Sequence, residues 1–207
     1  LFVCALLCAI GALLFHDDAP EERLQQEAEH LQEAVNNAAR ELEGLCTATS
    51  LHVDTNEARA WTFIHHLRDS LVESGTDVLL RDRGREYWTS AVPFDDAALD
   101  TLPLGHARSG WGVHLVAGAL NRNGRCFALR LLWQQPPIEN RYLVSGFHPS
   151  FHVGEGVEAM LDPGLGPVVR DAAGRVMFRL QWRNDIAPPG RKAQVRAWCV
   201  LVGMLFV

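Results

Sequence analysis

EERLQQEAEHLQEAVNNAARELEGL (residues 21–45) reads as one long helix with a narrow apolar edge. Gln, Glu, Ala and Leu dominate it, all residues that lose little on entering a helix. Pro20 suits a first turn, where its missing N–H has no partner to lose, and Glu21 and Glu22 follow at the positive end of the helix dipole. The apolar positions are Leu24, Ala28, Leu31, Val35, Ala38, Leu42 and Leu45, spaced 4, 3, 4, 3, 4, 3. That is a 3.5-residue period kept for three heptads. A helix packed on a globular core usually carries a wider stripe. Two arrangements fit the narrow edge: a dimer seam against a second copy of the chain, or a helix laid along its own domain.

Downstream, DTNE (54–57) has the form of a capping box, with Asp54 as N-cap and Glu57 three residues on. Trp61, Ile64, Leu67 or Arg68, and Leu71 follow at helical spacing, and Gly75 can close this second helix. Then the period changes. DVLLRDRGREYWTS (77–90), HLVAGALNRNGRCFALRLLW (114–133) and GPVVRDAAGRVMFRLQW (166–182) share one grammar: an apolar run, a polar turn with Gly-Arg, another apolar run. Each predicts a β-hairpin, with Gly84, Gly124 and Gly174 supplying the positive φ of a tight turn. A Pro- and Gly-rich connection (134–156) separates the last two, and APPG (187–190) is a short linker. Helices first and antiparallel strands after indicate an α+β fold, with the two helices packed on one sheet of hairpins.

The ends are apolar. LFVCALLCAIGALLF (1–15) and AWCVLVGMLFV (197–207) hold no charged residue, and a bilayer span needs about 20 such residues. The expected organisation is a truncated first transmembrane helix over 1–15, a domain over 16–190, and the start of a second transmembrane helix over 191–207. A signal peptide is the rival reading of the first run, although it lacks an A-x-A-like cleavage site. A buried strand or core helix is the rival for the last. Against that rival, Arg191, Lys192 and Arg196 precede the run and Trp198 sits where an interfacial anchor belongs. Charge does not settle the orientation, since long domains translocate largely regardless of it. The domain is placed outside on architecture alone.

The net charge is −6 over 207 residues, which argues against a nucleic-acid partner, because phosphate binding needs a basic surface. Cys4, Cys8 and Cys199 lie in the apolar runs, which leaves Cys46 and Cys126 as two buried thiols or one disulfide. Chemistry is sparse. The nine histidines read as surface and loop residues: His65 and His66 diverge on a helix, and Pro149 lies between His148 and His152. No zinc spacing, nucleophile motif or phosphate loop occurs, so neither a metal, a cofactor nor a catalytic residue is expected in this segment. Asp95 with Asp96, and Glu155 with Glu158, read as solvated pairs. The aromatics Tyr87, Trp88, Trp111, Phe127 and Trp133 either line a ligand pocket or fill the core.

Two stretches carry a resemblance. REYWTSAVPFDD (85–96) is similar to a strand ending in an aromatic-Trp-Ser pattern followed by Val-Pro, and IENRYLVSGFHPSFHV (138–153) to a Tyr-Leu stretch with spaced phenylalanines. Following a membrane-emergent helix in this order, they resemble the extracytoplasmic sensor region of bacterial membrane-bound two-component histidine kinases. That resemblance implies a PAS/Cache-like sheet, a homodimer in the bacterial inner membrane and an unknown signal ligand or protein. It also implies a response regulator reached through a cytoplasmic kinase that these residues do not contain. The signal would shift the sheet against the 21–45 helix, and so move one membrane span against the other. The rivals are the sensor of a chemoreceptor or cyclase, and a membrane-anchored periplasmic interaction protein.

Overall fold

The computed structural model describes residues 20–55, 57–82, 85–89, 94, 104–120 and 124–183. Among the described residues, helix α1 (Pro20–Thr55) is followed by α2 (Glu57–Glu73) and nine strands. These are β1 (Thr76–Asp82), β2 (Arg85–Trp88), β3 (Gly105–Ser109), β4 (Gly112–Leu120), β5 (Gly124–Gln134), β6 (Gly146–Phe147), β7 (Val157–Met160), β8 (Val168–Arg170) and β9 (Val176–Trp182). A single 3-10 turn, Pro149–Phe151, follows β6. The fold is α+β with antiparallel pairing throughout. The strands form two sheets rather than the single one expected. The larger runs β2-β1-β5-β4-β3 with β6 on the end of β5, and the smaller runs β7-β9-β8.

Helix α1 extends ten residues beyond Leu45. Its inward row continues through Cys46 and Thr49, at the same spacing of 4 and 3, and small side chains there keep the helix close to the sheet. Asp54 therefore lies inside the last turn of α1 and is not an N-cap; α2 starts at Glu57. At the far end of α2 the glycine expectation holds. Gly75 (φ +64) donates its N–H to the Val72 carbonyl, and a Cβ there would strike the His148 ring.

The edge of α1 settles the choice left by its period. Leu24, Ala28, Leu31, Val35, Ala38 and Leu42 are buried in the chain's own core, and half-buried Leu45 packs against it. The N-terminal half of α1 rests on β8, β9 and the 3-10 turn, and the C-terminal half on β4 and β5. The assignment of this row as a dimer seam is thus corrected: one chain already covers it. The reason lies in the partner, because α1 packs on both sheets in turn along its length. Two small sheet faces set end to end offer a long strip, for which a narrow edge is enough.

Polar contacts fix where α1 sits. The Gln32 amide donates to the Arg170 carbonyl at 2.9 Å and accepts from the Arg170 N–H at 2.8 Å, so it pairs with β8 as a neighbouring strand would. Glu27 accepts from the Gly154 N–H at 3.2 Å. On the large sheet, Arg130 reaches Glu41 at 2.8 Å and Thr76 at 2.8 Å.

All three predicted hairpins form, β1–β2, β4–β5 and β8–β9. Gly174 has the expected positive φ of 78°, Gly124 opens β5, and Gly84 lies outside the described residues. A fourth hairpin, β3–β4, turns at Gly110 and Trp111. It depends on Gly112 (φ +143), where any side chain would run into the Trp133 carbonyl. Among the described residues no helix is long and apolar enough to cross a membrane, and both terminal apolar runs lie outside those residues.

Leu31→Ala should cost about 2–5 kcal/mol, as for other fully buried leucines. Denaturant unfolding at several protein concentrations checks this, and the loss should be the same at each. A loss that depends on concentration would restore the seam between copies.

Candidate ligand-binding face

The large sheet is buried on both faces. Val78, Leu80, Val113, Leu115, Ala117, Cys126, Ala128, Leu132 and Trp133 face the helix-side core, whereas Leu79, Ala107, Val116, Phe127 and Leu129 form a second cluster. This explains why the strands read as nearly continuous apolar runs instead of alternating. Phe94, from the connection between β2 and β3, packs on the second cluster.

His114 belongs to this second face. Its neighbours Val113 and Leu115 point to the helix, and period-two alternation turns His114 the other way. The pairing of β4 with β5 shifts register between Val113 and His114, which leaves Leu132 as an extra residue on β5. That bulge lets Leu132 and Trp133 both reach the helix-side core, on the face opposite His114. The His114 ring is only 5% exposed and stands edge-on to Phe94, with centroids 5.4 Å apart. Its Nδ1 is buried and meets no hydrogen-bond partner among the described residues. Burial pushes its pKa down to about 4, against a weaker upward pull from the Gly112 backbone. The side chain is therefore a neutral imidazole at neutral pH, with one ring nitrogen unsatisfied among apolar and aromatic groups. A buried polar atom without a partner costs about 1–3 kcal/mol. A small molecule with a matching hydrogen-bonding group would remove that cost.

The five aromatics proposed for a pocket do not gather there. Phe127 is on the second face, and Trp88 shares it through its pairing with Leu79, but Trp88 is 50% exposed at the sheet edge. Tyr87 packs on the helix-side core. Trp133 does too, edge-on to Phe147 at 4.8 Å. Trp111 is 48% exposed in the β3–β4 turn. His65 and His66 are exposed as expected. His114 departs from the surface reading, and its signal was its place inside GVHLVAGAL (112–120), a polar ring in an otherwise apolar strand.

A second polar cluster joins the two sheets. Asp171, at the turn between β8 and β9, has a fully buried side chain. Its Oδ1 accepts from the Ala173 and Arg175 N–H groups at 3.0 and 2.9 Å, and its Oδ2 meets Arg175 Nε at 2.8 Å and His106 Nδ1 at 2.7 Å. Burial alone would raise its pKa, but the hydrogen bonds from His106 and Arg175 outweigh this and hold the carboxyl below its usual range. Arg175 also donates to the Leu104 carbonyl. Two residues along β3, Arg108 donates to the carbonyls of Leu161 and Met177 at 3.2 and 3.1 Å. With all these donors and acceptors matched, the cluster is a joint. Glu158 pairs with Arg183 at 2.6 Å and not with Glu155, and Asp95 and Asp96 lie outside the described residues. Among the described residues no three His, Cys, Asp or Glu side chains gather as a metal site would require.

The chain matches no family model, no curated protein and no solved structure.

Because the folded imidazole has a lower pKa than the unfolded one, the unfolded chain binds the extra proton between about pH 6.5 and 4. Stability linked to His114 is complete above that window and falls by about 3 kcal/mol as the pH drops through it. Denaturant unfolding at pH 7 and pH 4 should show this loss, and His114→Leu should lack most of it.

Proposed function

We propose that this domain senses a signal outside the cell for a membrane-bound two-component histidine kinase. The observation that carries this reading is where the two ends of the domain lie. Trp182, at the end of β9, donates from its indole N–H to the carbonyl of Pro20, the first residue of α1, at 3.0 Å. Entry and exit thus sit side by side, as needed if the apolar runs before and after them cross one bilayer. Support for the PAS/Cache-like part comes from the strand order β2-β1-β5-β4-β3 with a long helix across one face.

In this reading a small, largely apolar molecule with one polar group binds the second face and hydrogen-bonds to His114. Strand β3 carries the response. Ala107 belongs to the ligand face, while its neighbours His106 and Arg108 hold the small sheet through Asp171, Leu161 and Met177. A shift of β3 therefore pulls on the small sheet, whose β9 leads toward the second apolar run and whose β8 grips α1 through Gln32. The two ends then move relative to each other. Such a change needs two packings of different affinity for the signal. Partners in this reading are the membrane, a second copy of the chain, and a response regulator reached through the cytoplasmic part. The inward row of α1 does not supply the contact between copies.

Reading the coding sequence onward from the Val207 codon tests this directly. The apolar run should complete, then lead to a helix with a phosphoacceptor His and an Asn- and Gly-rich ATP site. A stop codon soon after Val207 would end the kinase reading and favour a membrane-anchored interaction protein.

A further inference from the structure

Cys46 on α1 and Cys126 on β5 are both free thiols and both fully buried. They lie where the C-terminal half of the helix crosses the centre of the large sheet. The Cys46 thiol donates to the Ala117 carbonyl at 3.5 Å and toward that of Cys126 at 3.8 Å, so it sits over the β4–β5 pair at Cys126 itself. We propose that these two cysteines form a redox latch, a reversible disulfide that fastens α1 to β5. The bond itself does not depend on the sensor reading; its effect on signalling does.

The surroundings determine when the latch can close. The adjoining Cys46 thiol and burial push the Cys126 thiol far above its ordinary range. Thiol–disulfide exchange needs a thiolate and an open approach, and the packed domain provides neither. Oxidation therefore requires α1 to lift from β5, or occurs while the chain folds. The co-reactant is a small disulfide. One cysteine thiolate attacks a sulfur of that disulfide, forming a mixed disulfide and releasing the first thiol. The second cysteine loses its proton and displaces the other thiol. Two protein thiols are oxidised to one disulfide, and the small disulfide is reduced to two thiols. The closed latch then bars the lifting of α1 that admitted the oxidant, so it would hold the helix down on the large sheet.

The experiment uses the 207-residue chain in detergent micelles with Cys4→Ala, Cys8→Ala and Cys199→Ala, and glutathione disulfide as the probe. Mass spectrometry should find a product that has lost two hydrogens, retains no glutathione and links the peptides of Cys46 and Cys126. The product should form at least about tenfold faster in sub-denaturing urea than in buffer, because opening exposes the thiolates. Its Tm should rise by about 5–15 °C, the shift expected for a long-range disulfide in a chain of this size, and fall again on reduction. Cys46→Ser should give only a glutathione adduct at Cys126. Stable glutathione adducts at both native cysteines, a disulfide between copies, or a linked product of lower Tm would each overturn the latch.

Discussion

Both sheets depend on one partner, the inward row of α1. Leu24, Ala28 and Leu31 belong to the half of the helix that rests on the small sheet, and Ala38, Leu42 and Cys46 to the half that rests on the large one. Without α1 each sheet would expose an apolar face. The small sheet, three short strands, is too slight to stand alone. The dependence runs both ways, because a helix gains most of its stability from packing its apolar face, not from propensity. The helix is thus the element through which the two halves of the domain sense each other.

Asp171 and His114 are both buried polar groups, and their surroundings treat them differently. Asp171 is a buried charge with every oxygen supplied with donors, and its low pKa shows that the site favours the ionised form. Low local dielectric strengthens such a network once it is complete. His114 is buried to a similar degree, but among the described residues no hydrogen-bond partner meets its Nδ1. Few native structures leave a buried polar side chain in that condition without a reason. The asymmetry sets the second face apart from the fully matched joint between the sheets.

Much of the framework was legible in the sequence, because it rests on periodicity and turn chemistry. The 21–45 helix, Gly75 at the end of α2 and the three hairpins all follow from local rules, and so does the α+β order. Other features depend on distant pairings. Nothing in GPVVRDAAGRVMFRLQW says that its hairpin joins β7 in a sheet of its own, since that depends on Val157–Met160 pairing along β9. The period of α1 showed a narrow edge but not its occupant, because a heptad row packs on a strip of sheet as readily as on another helix. The face around His114 was hardest to foresee. Aromatic residues drew attention to Trp111 and Trp133, whereas the informative residue was a lone histidine whose neighbours are small and aliphatic. DTNE misled for a physical reason: a capping box signals only when the preceding residues have left the helix, and here α1 continues through Thr55.

Each half of α1 is held by buried side chains and by polar contacts of its own. Its N-terminal half is bound through directional hydrogen bonds from Gln32 and Glu27, and the indole of Trp182 holds its first residue. These lose strength quickly with small changes of angle. Its C-terminal half, about 20 Å further along the axis, meets the large sheet through the buried Ala38, Leu42, Cys46 and Thr49, and through Glu41, which pairs with Arg130 of β5. Close-packed interfaces resist sliding because their side chains interdigitate. Lifting the C-terminal half would separate Cys46 from Cys126 and leave the junction of Pro20 and Trp182 intact. The same junction is where any displacement of the sheets would reach the segments beyond the domain.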